Sequence, residues 1–296
     1  MTSALTSILN TQHAWAALNH VDVDRGCTRT LEDNLFCCPM HADTLEEFRA
    51  GSGDETGRTT TGKKRAKMLS LRSSSVLAVN VFDHWRGRDL TQLADALESP
   101  GKYGNLKFEQ PFNHGLSSGK PHLDVVLYSS DGRRPLAIEA KFAEPYDVKK
   151  DERSPPIHAK YFASGRKRWA EVELPCCQEL AEHLGTRTFY HRLGAAQLLK
   201  HILGLAHDDD GHAAPDRSVS LLYLWFDTGC AEAKEHQDEI EDFGTRIDSG
   251  VDFRSMTYQN LFEQLAVDAP TARDYVDYLR TRYFARLTKL PASMHI

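Results

Sequence analysis

The sequence predicts an α/β protein with one central mixed sheet flanked by helices. Three observations carry that expectation. Three strand-like segments follow one another, LKFEQPF (106–112), HLDVVLYS (122–129) and PLAIEAKF (135–142), the first with clear apolar–polar alternation and the last two separated by a segment containing Asp131-Gly132, a strong hairpin signal. The uninterrupted apolar run of Leu221–Phe226 fits a buried strand. Segments of helical periodicity lie between and after these strands, in the order β-β-β-α-β-α-β-α.

The first 70 residues read as largely irregular, with helices over Thr6–Leu18 and Thr44–Arg49, the second capped by Asp43 or Thr44. Residues 50–65 are rich in Gly, Thr and charge and read as a loop. Ser73, Ser74 and Ser75 offer caps for the apolar helix VLAVNVFDHW, and Asp89 caps the amphipathic LTQLADALE, which stops at Pro100. After the three strands, a basic, Pro-containing segment runs from Asp147 to Arg168. LPCCQEL reads as a helix start, and an apolar helix spans His191–Ala206. Ser218–Asp227 is a strand, Glu232–Ile247 a helix with Ile240, Phe243 and Ile247 on one face, DFRSMTY a strand and NLFEQL a helix. Thr271–Leu287 closes the chain as a helix.

The 296 residues carry 36 basic and 42 acidic side chains, a net charge of -6, so overall charge does not advertise a nucleic-acid binder. The charge is patchy, however. Arg58, Lys63, Lys64, Arg65, Lys67 and Arg72 form a run without an acid between them, and Lys160, Arg166, Lys167 and Arg168 interleave with Tyr161, Phe162 and Trp169. Such clusters suit phosphates, or are plain solvated surface. No apolar run approaches the roughly 20 residues of a membrane span. MTSALTSILNTQHAW has neither a basic n-region nor an apolar h-region, so the expectation is a cytoplasmic protein without membrane contact. Cys27, Cys37, Cys38, Cys176, Cys177 and Cys230 read as reduced thiols. Cys27, Cys37, Cys38 and His41 lack a CxxC knuckle, and whether they bind a metal is left open.

Chemistry concentrates at the hairpin. A turn centred on Asp131-Gly132 puts Asp124 directly opposite Glu139, and Lys141, two residues on, shares their face. Leu123, Val125, Leu127, Ile138, Ala140 and Phe142 make the other, apolar face. Two carboxylates with Cβ atoms ~5 Å apart repel, and burying them costs energy unless something compensates. Lys141 neutralises one. A divalent cation neutralises both, and Asp124 and Glu139 with the Ala140 main-chain carbonyl suit Mg²⁺, or Mn²⁺ in its place. A lysine beside such an ion orients or activates water for phosphodiester hydrolysis. The alternative is a buried Asp–Lys–Glu network that only holds the hairpin.

Asp124, the hairpin and the IEAK of 138–141 resemble the PD-(D/E)xK nuclease superfamily, with Leu123 where the motif has Pro. The resemblance implies a restriction-endonuclease-like core, αβββαβ, over residues 73–228. Residues 1–72 form a partly irregular N-terminal extension, and 229–296 a C-terminal α/β extension packed on the core. It implies Mg²⁺-dependent hydrolysis of DNA in restriction, defence or repair, with Asp124, Glu139 and Lys141 catalytic. RNA, endo versus exo action and the recognition sequence stay open. In the helix after the third strand, Gln197 begins Q-L-L-K-H, which is similar to the Q-x-x-x-Y of recombination-type members with His201 in place of Tyr. Gln197, Lys200 and His201 are the single polar stripe of that helix, and Gln197 joins the expected site. The superfamily often adds one more acid, for which Glu109 is the candidate and Asp83 and Asp95 the alternatives. Lys63, Lys64, Arg65, Lys67, Lys160, Arg166, Lys167 and Arg168 are the expected nucleic-acid contacts, and fold analogy implies a homodimer. Two other functions compete: a catalytically inactive nucleic-acid-binding module on the same fold, and a zinc or thiol protein.

Overall fold

The computed structural model describes residues 2–51, 55–57, 65–116, 119–132, 134–147, 157–186, 189–207, 219–269 and 272–284. Arg58, Lys63, Lys64, part of the basic segment after Asp147 and the end of the last expected helix lie outside the described residues.

The N-terminal part holds α1 (Ala4–Leu18), a short antiparallel pair β1 (Val23–Asp24) and β2 (Cys27–Thr28), and α2 (Ala42–Ala50). The cap of α2 is neither Asp43 nor Thr44 but His41, whose ring accepts from the Asp43 N–H. Thr44 is inside the helix and buried, its hydroxyl donating to Asp83 Oδ1 at 2.6 Å. Then come α3 (Ser74–Phe82), capped by the Ser73 hydroxyl, and α4 (Thr91–Ala96), where Asp89 accepts from the Thr91 N–H at 2.9 Å. Strands β3 (Tyr103–Pro111), β4 (His122–Ser129) and β5 (Leu136–Lys141) follow. After them run α5 (Arg168–Glu171), α6 (Pro175–Thr186), α7 (Ala195–Leu205), β6 (Val219–Trp225), α8 (Ala231–Ile247), β7 (Val251–Thr257), α9 (Tyr258–Asp268) and α10 (Arg273–Phe284).

Five strands form one mixed sheet in the order β3-β4-β5-β6-β7, antiparallel for the first three and parallel from β5 onward. The central parallel strand β6 is a nearly continuous apolar run, as expected where helices cover both faces, whereas the edge strand β7 carries Asp252, Arg254 and Ser255. The Phe142 ring meets Tyr283 of α10 on one face, while His201 of α7 reaches Glu139 on the other. β7 extends the same sheet past residue 228, so the C-terminal segment contributes directly to the core. Between α7 and the connection from β3 to β4, Gly204 permits close approach, since a Cβ there would stand 2.9 Å from Phe112 Cβ and 3.0 Å from Pro121 Cγ.

The chain ends are tied together by Arg282, which is fully buried. Its guanidinium lies 4.2 Å from the centre of the Trp15 ring and donates to the Asn34 carbonyl at 2.7 Å, to the Asn34 side chain, to Tyr278 Oη at 2.7 Å and to Gln12 Oε1 at 3.3 Å. None of these partners is a carboxylate: among the described residues, neutral oxygens and the rings of Trp15, Tyr278 and Tyr283 compensate the charge. Only a planar fork reaches them all. Arg282→Met should lower the unfolding free energy by at least ~2 kcal/mol in urea titrations, and Arg282→Lys should not restore it.

His236 of α8 is also buried, with its Nε2 3.0 Å from Tyr223 Oη and its ring against Tyr146 and Trp225. Burial pushes its pKa down to about 3. The unfolded chain, with an ordinary histidine, binds the proton first, so stability is full above pH ~6.5 and falls as pH drops toward the folded value. His236→Gln should flatten the acid limb of the stability–pH curve by up to ~1.4 kcal/mol per pH unit, read from denaturant melts between pH 6.5 and 4.

Candidate functional site

The β4–β5 ladder runs Leu127↔Leu136, Val126↔Ala137, Val125↔Ile138 and stops there. Continuing the register puts Asp124 opposite Glu139, as the turn position predicts. The connection itself is longer than a two-residue turn, because β4 ends at Ser129 and β5 begins at Leu136, but its centre is unchanged. At the next level the strands stop exchanging ladder bonds, and Asp124 Oδ2 instead accepts from the Ala140 N–H at 2.7 Å. The β3–β4 ladder skips the same level: Phe108 pairs with Val125 and Gln110 with Leu123, leaving Glu109 across from Asp124. Glu109 has φ +47°, a left-handed conformation that a glutamate in a strand adopts only when its surroundings impose it. Its carbonyl lies 3.1 Å from His122 Nδ1. Glu109, Asp124 and Glu139 thus form a row across three neighbouring strands.

Glu139 is fully buried. Its Oε1 accepts from Lys141 Nζ at 2.5 Å. Its Oε2 lies 3.3 Å from His201 Nε2 without the alignment of a hydrogen bond, and both atoms are left without a hydrogen-bond partner among the described residues. Burial, with the Glu139 charge adding to it, raises the Asp124 carboxyl well above the carboxylate range, and Lys141 offsets this only in part. Burial, then the charges of Glu55 and Glu139, pushes Glu109 up to about 7. Burial opposes the charge of Lys141, but Glu139 and Asp124 together outweigh it and hold the ammonium above its ordinary value. Burial lowers His201 to about 4, so its ring is neutral at neutral pH.

Among the described residues, no three His, Cys, Asp or Glu side chains form a ready metal cage. The donor set nevertheless suits a hard cation. Glu139 Oε2 is a buried carboxylate oxygen with nothing to accept from, and Asp124 Oδ1 makes no hydrogen bond among the described residues. Two carboxylates plus water are a customary Mg²⁺ set.

The other expected residues fall elsewhere. Gln197 is exposed on α7 and makes no hydrogen bond to Asp124, Glu139 or Lys141, whereas His201, one turn on, is buried against Glu139. Asp83 is buried but bound to Thr44 and the His41 N–H, and Asp95 is exposed on α4. Arg65 pairs with Asp24, Lys67 with Glu55 at 2.9 Å, Arg72 with Asp147 at 2.5 Å and Arg166 with Glu171 through Nε at 2.7 Å. Lys167 is exposed, while Lys160 lies over the Tyr161 ring and Arg168 is half-buried. Cys27, Cys37, Cys38 and His41 do not assemble into a metal-holding group among the described residues. The sequence reading missed Glu144, which joins two parts of the site rim by accepting from Ser74 Oγ at 2.5 Å and from the Phe142 N–H at 3.0 Å. Its signal was weak: an acid three residues beyond Lys141 in a polar turn.

Among the described residues, no helix is long and apolar enough to cross a membrane. Searches of curated proteins and of solved structures return no match. A family model does match, over residues 11–284, nearly the whole chain; its description is restriction endonuclease associating with ARP. The five-stranded mixed sheet flanked by helices is consistent with the fold that this match implies. A match over residues 11–284 spans the strands that bear the carboxylate row and most of both extensions, and it gives one assignment: the chain belongs to the REase-ARP family, restriction endonuclease associating with ARP.

Proposed function

We propose that this protein is a divalent-cation-dependent nuclease that hydrolyses phosphodiester bonds of DNA. The observation that carries the reading is Glu139 Oε2, a buried carboxylate oxygen without a hydrogen-bond partner among the described residues, in a row of acids beside Lys141. Asp124 and Glu139, with the Ala140 carbonyl, are the residues to hold Mg²⁺ or Mn²⁺, and the ion supplies Lewis-acid polarisation of the phosphate when bound. Lys141 stands on the same strand face as Glu139 and is partly open to solvent. Its ammonium orients the attacking water and meets charge developing on the phosphate oxygens, help worth ~3 kcal/mol or more. Glu109 is the further acid, held beside Asp124 in a left-handed backbone conformation. Neutral His201 walls off Glu139 from the α7 side without cancelling its charge. Lys160, Lys167 and Arg168 are the basic residues placed to meet the substrate backbone. A homodimer would bring one such centre to each DNA strand.

Two measurements test the centre. Single-turnover cleavage of plasmid, single-stranded DNA and RNA with saturating Mg²⁺ should lose at least ~100-fold in Lys141→Ala, beside a melt showing that the variant is folded. DNA binding without cleavage in the wild type would instead favour the inactive binding module. In the second, Asp124→Asn should melt higher than wild type in EDTA, because a buried like-charge contact is gone, and should lose the rise in melting temperature that Mg²⁺ gives wild type. An undiminished Mg²⁺ response in Asp124→Asn would remove the metal assignment.

A further inference from the structure

Away from the carboxylate row, a second cluster carries charge of the opposite sign. Residues 158–171 dock on α7 through Trp169, whose indole N–H donates to the Leu199 carbonyl at 2.8 Å. This brings Lys160 and Arg168 toward Lys200 of α7 and toward His114 in the connection from β3 to β4. Lys160 and Arg168 both act on His114, and Lys160 acts on Lys200. Lys160, Arg168 and Lys200 are each half-buried.

The same place gathers orphaned polar atoms. His114 is fully buried, and among the described residues neither ring nitrogen makes a well-formed hydrogen bond, although the Gly119 backbone acts on the ring. Tyr161 is 1% exposed, stacked on Trp169 and edge-on to His114, and its hydroxyl has no partner among the described residues. Arg168 Nε is buried and likewise without a partner among them, and its Nη1 reaches the Gly115 carbonyl at a long 3.5 Å. Unsatisfied buried donors cost stability. A tetrahedral oxyanion answers them, because its oxygens accept from ammonium, guanidinium and hydroxyl groups together.

We infer that Lys200, Arg168 and the Tyr161 hydroxyl, with Lys160, form a subsite for one backbone phosphate of the nucleic acid, beside the cleavage centre and reached along α7. The inference rests on the nuclease reading for its ligand and deepens it. Lys200 directly precedes His201, which touches Glu139, so a strand gripped here is held in register with the carboxylate row. The role is positioning: these residues hold a phosphate other than the one that is cut.

The test measures binding with cleavage switched off. A fluorescein-labelled 20-base-pair duplex is titrated in EDTA over a NaCl series and read by anisotropy. Lys200→Met with Arg168→Gln should bind at least ~10-fold more weakly than wild type, with a log–log salt slope shallower by about 1 to 2. Lys200→Arg should stay within about threefold of wild type. Inorganic pyrophosphate, at matched ionic strength, should raise the melting temperature of wild type and not of the double variant. Three results would overturn the inference. Unchanged DNA affinity with a lost pyrophosphate response would make this a site for a free phosphate compound. Unchanged affinity with a lower melting temperature would mean that carboxylates of this chain hold the cations. A wild type that binds no DNA would leave the subsite without its ligand. A wild type that binds DNA as expected but cuts nothing under any metal would sink the nuclease reading and leave the subsite standing, so the two failures are distinguishable.

Discussion

Three carboxylates outnumber the ammonium groups that act on them, Lys141 and, at Glu109, also Lys67, at the level where the β3–β4 ladder skips a pair and the β4–β5 ladder ends, and the organisation of this end of the sheet follows from that imbalance. Two unit charges ~5 Å apart at an effective dielectric of about 20 repel by roughly 3 kcal/mol, and the Lys141–Glu139 contact returns an amount of that order for one pair only. The remainder is a standing cost, and the fold meets it by local means. Asp124 is steadied by the Ala140 N–H that the interrupted ladder leaves over. Glu109 is kept at its station, in a left-handed backbone conformation, by the flanking ladder pairs of Phe108 and Gln110 and by the His122 ring at its carbonyl. Directly behind the row, Leu123, Val125, Ile138 and Ala140 are buried, and their packing prevents the acids from turning away.

That packing depends on regions far from the site in sequence. The acids sit on a sheet whose parallel half is closed by β7, α9 and α10, and α10 is in turn fastened to α1 and Asn34 by Arg282. The two terminal segments therefore belong to the same cooperative structure as the strands that bear the site. A family model covering residues 11–284, and not the central part alone, accords with this: the extensions are part of what folds.

The hairpin was legible in the sequence for a simple reason. Register depends on the centre of a turn and not on its tightness, so Asp131-Gly132 aligned Asp124 with Glu139 although the connection is wider than a two-residue turn. The register of β3 was not legible, because the connection of Phe112–Pro121 carries no turn signal that fixes an offset, and Glu109 could be placed only as a candidate. The pairing of the basic run from Arg58 to Arg72 was not legible for a related reason. The run contains no acid, yet Arg65, Lys67 and Arg72 find Asp24, Glu55 and Asp147, partners that sequence proximity cannot reveal. Gln197 and His201 share a helical stripe, but a helix crossing a sheet buries one end of a stripe and leaves the other open. Periodicity gives the face and not the end.

His201 shows how finely the charge of the site is set by packing. An imidazolium 3.3 Å from Glu139 Oε2 would complete a closed network of Lys141, Glu139 and His201 and satisfy the last carboxylate oxygen from within the chain. Burial keeps the ring neutral instead, against the pull of the Glu139 charge, and the neighbouring ammonium groups of Lys141 and Lys200 push in the same direction as burial. The ring fills space beside Glu139, excludes water from that side and leaves the negative charge open toward Asp124. A helix with a single narrow polar stripe in an otherwise apolar surround is the element that desolvates a histidine so thoroughly, and the same stripe presents Lys200 to the cationic cluster one residue earlier. Helix α7 thus preserves an anionic surplus at the carboxylate row and contributes to a cationic one beside it, the pair of complementary charges that a metal ion and a phosphate backbone require.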